Sequence, residues 1–228
     1  MESGTPTPPP APEAPGPPSG AIAQADMPVP QVRPGSGPPS APYVAVTEFD
    51  RQEEYNRWLP IVKNLLLIPH WFVLFFLWIA AFFAIVGSWF MVLFTGKYPP
   101  GIHGFLTGTY RWTTRASAYG FLMTDRYPPF SFDDDPDYPV RFDIAYTEPI
   151  ARWRPLVHWL LVIPYAIVAG VLVWVAYIIT FIAFFAILFT KKFPEGMFDF
   201  NVVALRWQNR SAAYQLWMTE KYPPWQWG

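Results

Sequence analysis

Two long apolar stretches dominate the chain, Leu59 to Phe94 and Leu156 to Phe189. Within them, the 24 residues from Trp71 to Phe94 and the 25 from Tyr165 to Phe189 carry no charge. At 1.5 Å per residue a helix of that length extends about 36 Å, enough to cross a hydrocarbon layer of ~30 Å with some tilt. The pattern therefore predicts one membrane-crossing helix in each stretch. Each begins with Arg-Trp and a short run leading to Ile68-Pro69 or Ile163-Pro164. That run mixes charge with tryptophan and is too short to cross, as expected of an amphipathic segment at the membrane interface. The proline removes a backbone donor, so the chain should bend as it enters the bilayer.

A different pattern follows each apolar stretch. Phe198, Val202, Leu205, Ala212 and Leu216 form a helical stripe, while Arg206, Arg210 and Tyr214 share another face. Arg111, Arg115 and Tyr119 repeat that arrangement in the first half. A further crossing here would place two arginines near the bilayer centre, at a cost of about 5–7 kcal/mol. These segments are accordingly predicted to be amphipathic helices lying in the membrane plane.

The two halves are copies. Shifting the chain by 95 residues superimposes it on itself without a gap, and 29 of the 76 positions from Arg57 to Phe132 are identical. Arg57-Trp58 falls on Arg152-Trp153, Arg111-Trp112 on Arg206-Trp207, and Met123-Thr124 on Met218-Thr219. Tyr43 aligns with Tyr138 and Glu53 with Glu148, which extends each copy upstream. This is a tandem duplication. The organisation it predicts is a tail (1–42), a first membrane repeat (43–132) and a second (133–228). The fold class is all-α: two units, each a proline-kinked transmembrane helix followed by an interfacial helix.

Composition sharpens this picture. The chain is 52% hydrophobic and 19% aromatic but only 14% charged, against about 25% charged residues in ordinary soluble domains. A net charge of −1 removes the electrostatic case for nucleic-acid binding. The absence of cysteine excludes disulfides, thiolate metal sites and a cysteine nucleophile. Residues 1–42 hold 14 of the 28 prolines and only four charged side chains, a composition expected to stay disordered with polyproline II character. They lack the basic start and apolar run of a signal peptide.

Candidate chemistry is sparse. No GxSxG, HExxH or P-loop occurs, so no catalytic group and no cofactor is expected. His70, His103 and His158 align with Tyr165, Phe198 and Lys63, so they build no symmetric metal site. The acidic run Asp133-Asp134-Asp135-Asp137 lacks the glycine and terminal glutamate of a calcium loop, and reads as a solvated linker. That leaves the arginine pairs. Two guanidiniums one helical turn apart suit a lipid phosphate or carboxylates. Arg111, Arg115, Arg206 and Arg210, with Tyr119 and Tyr214, are the candidate anionic-lipid or partner contacts. The plainer expectation is that they snorkel to the headgroups and anchor the helix, or pair internally with Asp125 and Glu220.

The run from Tyr138 to Tyr146 (YPVRFDIAY), Arg152-Trp153-Arg154-Pro155, Leu188-Phe189-Thr190 and Asp125-Arg126-Tyr127-Pro128-Pro129-Phe130 resembles an uncharacterised bacterial membrane-protein family. That family is a domain of unknown function, frequent in actinobacteria, and the resemblance covers both copies over about residues 43–228. It implies a multi-pass protein of the bacterial inner membrane and no activity. With one crossing per copy, basic residues divide eight to seven between the two faces, which sets no orientation. Two crossings per copy, as tight hairpins, would gather them on one face. The expected role is a non-catalytic integral membrane scaffold or accessory subunit, with a membrane-protein partner or a second copy. A small transporter or channel subunit on an internal repeat is the alternative.

Overall fold

The computed structural model describes residues 43–147 and 149–227, which belong to one compact unit. The proline-rich tail, expected to be disordered, lies outside the described residues. Eight elements follow in order: β1 (Ala45–Phe49), α1 (Leu59–Leu66), α2 (Ile68–Thr95), α3 (Pro100–Gly120), β2 (Val140–Ile144), α4 (Arg154–Leu161), α5 (Ile163–Thr190) and α6 (Glu195–Gln215). Every boundary in the second half is the first-half boundary plus 95. The duplication extends to the backbone: left-handed residues occur as the equivalent pairs Gly96/Lys191 and Leu122/Trp217.

Each apolar stretch contains one uninterrupted helix of 28 residues, α2 or α5, which rules out the tight hairpin. Helix α1 runs into α2 through Leu67, whose N–H still reaches the Lys63 carbonyl at 3.0 Å. Pro69 interrupts the ladder there without ending the helix, and Pro164 does the same in the second copy. Among the described residues only these two helices are long and apolar enough to cross a membrane.

Two expectations need correction. The fold is not all-α. It contains two strands that alternate buried and open positions: Ala45, Thr47 and Phe49 are buried in β1, and Val140, Phe142 and Ile144 in β2. A five-residue strand cannot stand alone, and its partner lies 95 residues away in the other copy. Helices α3 and α6, moreover, do not lie crosswise to the apolar helices. Gly96, at φ 71°, caps α2, and Pro99 and Pro100 start α3 at once, so the chain doubles back. Ile102 Cδ1 sits 4.0 Å from where a Cβ on Gly87 would stand, and Leu67 Cδ1 lies 3.1 Å from the same point on Gly120. Between these ends, the rings of Trp78 and Tyr110 meet at 4.9 Å. Helix α3 thus runs antiparallel along α2, and α6 packs on α5 in the same way. Both α3 and α6 are buried over most of their length and form the centre of the molecule.

The two copies interlock around a pseudo-twofold axis. In the antiparallel β1–β2 pair, Thr47 faces Phe142, its own counterpart, while Ala45 faces Ile144 and Phe49 faces Val140. A strand of each copy therefore packs on the central helix of the other, β2 on α3 and β1 on α6. Reciprocal bonds repeat the exchange. Tyr55 N–H donates to the Lys191 carbonyl at 2.9 Å, and Ile150 N–H to the Gly96 carbonyl at 3.1 Å. Tyr43 Oη donates to the Lys221 carbonyl, and Tyr138 Oη to the Arg126 carbonyl. On the axis, Thr114 Oγ1 meets Asn209 Oδ1 at 3.3 Å, again a residue and its counterpart. Because the start of each long helix meets the end of the other (Trp89 Nε1 donates to the Pro155 carbonyl), α1–α2 and α4–α5 run antiparallel.

The copies differ where a close approach demands it. A Cβ on Gly108 would stand 2.7 Å from Phe132 Cβ, whereas the second copy carries Val203 at that position. Gly108→Val should destabilise the protein by about 1–3 kcal/mol through overpacking. Adding Phe132→Ala should recover part of the loss, read as thermal unfolding in detergent micelles.

Candidate functional site

Helices α3 and α6 put Arg111, Arg115, Arg206 and Arg210 on the face turned toward the exchanged strands. Arg111 Nε donates to the Phe142 carbonyl at 2.7 Å, and Arg206 Nε donates to the Thr47 carbonyl at 3.0 Å. These acceptors are counterparts, and each lies in the other copy's strand. Arg111 also donates to the Phe132 carbonyl at 2.6 Å and to Asp143 Oδ1 at 2.8 Å. Arg115, wholly buried, reaches the Val140 and Asp133 carbonyls at 3.4 and 3.0 Å and stands over the Tyr138 ring. Arg210 donates to the Gln226 carbonyl at 3.3 Å. The planar, multiply donating guanidinium suits this duty, since one side chain can satisfy carbonyls of separate segments. Burial, with the neighbouring Arg111 charge, pulls Arg115 below its usual range, and burial with Arg210 does the same to Arg206.

The counter-charges are not those expected from the sequence. Asp125 pairs with Lys63 at 2.8 Å and Glu220 with Arg154 at 3.7 Å, so neither serves the arginine pairs. The acidic run serves the first pair only: Asp134 lies 3.9 Å from Arg111 and 3.8 Å from Arg115, while Asp135 lies 3.6 Å from Arg126. Asp133 is tied to Ser131. The run is solvated as expected, with Asp133, Asp134 and Asp137 exposed, and it also sets a carboxylate beside the arginines of α3.

Tyr119 and Tyr214, one turn beyond Arg115 and Arg210, meet α1 and α4. Lys63 Nζ sits 4.9 Å over the Tyr119 ring and donates to the Thr124 carbonyl at 2.7 Å. In the second copy His158 occupies that slot, stacked on Tyr214 at 4.1 Å with its Nδ1 3.0 Å from the Tyr214 carbonyl. Asp125 accepts from the Asn56 N–H, and Glu220 from the equivalent Ala151 N–H. The alignment of Lys63 with His158, set aside because the residues differ, conceals one shared basic position.

The same holds for His70 and Tyr165. His70 Nδ1 accepts from Trp112 Nε1 at 2.9 Å, and its ring stacks on Phe130 at 4.0 Å. Tyr165 stacks on Trp207 at 4.6 Å and meets Trp225 at 5.3 Å. Each copy thus closes its outer apolar helix onto the core with an aromatic cluster, and the readable signal was the planar ring retained at both positions. His103 stands apart, with Tyr98 and Tyr146 edge-on at 5.9 and 5.1 Å. Burial lowers its affinity for a proton, against an opposing pull from Asp143. Among the described residues, no three His, Cys, Asp or Glu side chains gather as metal ligands would.

Two interleaved copies, each with an apolar outer helix and an arginine-bearing inner one, define a duplicated helical protein built to expose apolar surface. A family model described as Domain of unknown function (DUF4389) matches residues 60–131 and 152–226, and the chain belongs to that family, with two copies of its domain. No curated protein and no solved structure matches it.

The bonds across the copies make a mutational prediction. Arg206→Met leaves the Thr47 carbonyl without its side-chain donor and should cost about 1–3 kcal/mol. Arg206→Lys keeps the charge but not the in-plane Nε–H, and should restore less than half of that loss in the same melting assay.

Proposed function

We propose that this protein is a non-catalytic membrane scaffold or accessory subunit of the cell membrane, held in lipid by α1–α2 and α4–α5. The observation that carries the reading is an inverted polarity. Phe72, Phe75, Phe76, Phe82, Phe83 and Phe94 of α2 point outward, each more than half exposed, and Phe181, Trp174 and Phe189 of α5 do the same. The polar residues of the same segments point inward: Lys63, His70, Ser88 and His158 are fully buried. A helix with its apolar arc outside and its polar groups inside is arranged for a hydrocarbon medium, since in water that surface would drive association. The charged side chains of the arginine and acidic clusters are engaged with the protein's own backbone and counter-ions, which favours a structural role over chemistry on a substrate.

The proposal predicts that the full chain sediments with membranes after washing at alkaline pH and is extracted only by detergent. Recovery in the aqueous fraction without detergent would defeat it.

A further inference from the structure

The depth of the sheet relative to the apolar helices bears on how the molecule meets lipid. Three rings form a column through the layers: Trp78 of α2 meets Tyr110 of α3 at 4.9 Å, and Tyr110 meets Phe142 of β2 at 6.5 Å. Trp78 lies well inside α2, so the centre of the sheet stands level with the interior of the apolar helix, not with either end. Strand β2 keeps that alignment. Val140 is bonded to Arg115, Phe142 to Arg111, and Tyr146 Oη to the Tyr98 carbonyl just beyond the end of α2.

The outer side of this sheet is charged and open. Asp143 and Asp134 have side chains 65% and 57% exposed. Arg141 bridges Glu48 and Asp50 at 3.1 and 2.9 Å across the same surface. If α2 and α5 crossed the bilayer in a lone molecule, these carboxylates would stand near mid-depth facing acyl chains, where ionised groups are strongly disfavoured. The pseudo-twofold axis runs through the sheet and between the central helices. Laid along the membrane normal, it puts the outward arcs of all four lipid-side helices on one side and the sheet on the other.

We infer that the molecule lies flat in a single leaflet: the outer faces of α1, α2, α4 and α5 are sunk among acyl chains, while the β1–β2 sheet and the 131–137 loop face water. This rests on the membrane-scaffold reading and fixes its geometry. The wide aromatic arc of each helix carries it below the headgroups. The buried polar groups Lys63 and His158 face away from lipid in this pose. The ends of α1–α2, which a crossing would place on opposite sides, share one side.

The natural lack of cysteine allows a direct test. Glu53→Cys marks the loop before α1, Lys97→Cys the turn after α2, and Asp143→Cys the sheet. Each full-length variant is treated with an impermeant maleimide in intact and in permeabilised cells. Flat seating predicts the same response at all three: all modified before permeabilisation, or all only after it. Opposite responses of Glu53→Cys and Lys97→Cys would overturn the inference in favour of crossing. If Asp143→Cys were then also modified, it would point to a water-filled space between copies, as a channel would need. Loss of all three proteins to the soluble fraction would instead defeat the scaffold reading itself.

Discussion

Arginine side chains at the centre of the molecule hold the two copies together, and most of the architecture follows from that constraint. Arg111 and Arg206 each donate to the middle carbonyl of a strand contributed by the other copy. Neither strand could persist alone, and neither central helix could bury its arginines without a strand to receive them. Each copy supplies what the other lacks. The exchange also sets the order of layers, because the strand must lie along the central helix, which leaves the opposite face of that helix for α2 or α5. A buried guanidinium is expensive unless its donors are matched; here backbone carbonyls take most of them, with Asp134 and Asp143 as counter-charges.

Polarity is distributed in the same spirit. The innermost elements are the most polar helices of the chain, and the outermost are the most apolar. In water such an arrangement would expose a continuous aromatic surface; in hydrocarbon the helical outer elements pair their backbone groups internally. The sheet, which would be a liability in lipid, is confined to the face that carries Asp143, Glu48, Asp50 and Arg141. Packing between outer and inner helices uses small residues at the closest points. Ala81 and Ala176, equivalent positions, are both fully buried on the inward faces of helices whose outward faces are exposed.

Much of this was legible in the residues. The apolar runs located α2 and α5, the prolines marked the α1–α2 and α4–α5 junctions, and the 95-residue shift predicted the equivalence of all boundaries. What was not legible was long-range. The run from Val140 to Ile144 has a strand's alternation, but its partner could not be identified, because the first copy shows a different set of residues there. The direction of α3 depended on what receives Arg111 and Arg115. With acceptors unknown, lipid headgroups were the natural assignment; the acceptors are carbonyls of β2 and of the 132–133 segment, which no local pattern announces. Residue-by-residue identity between the copies also understates how alike they are. Lys63/His158 and His70/Tyr165 keep their position and their kind of contact while changing residue.

The strand exchange itself can be measured by cross-linking in the cysteine-free chain. Val46 and Asp143 stand directly opposite each other in the antiparallel register and share the outward face of the sheet. Directly opposed positions bring Cβ atoms to about 4.5–5.5 Å, close to the reach of a disulfide. Val46→Cys combined with Asp143→Cys should oxidise readily to a bridge within one chain, whereas Val46→Cys with Phe142→Cys should not, since the second side chain points to the core. Efficient bridging of the Phe142→Cys pair, or none in either, would contradict the interleaved arrangement.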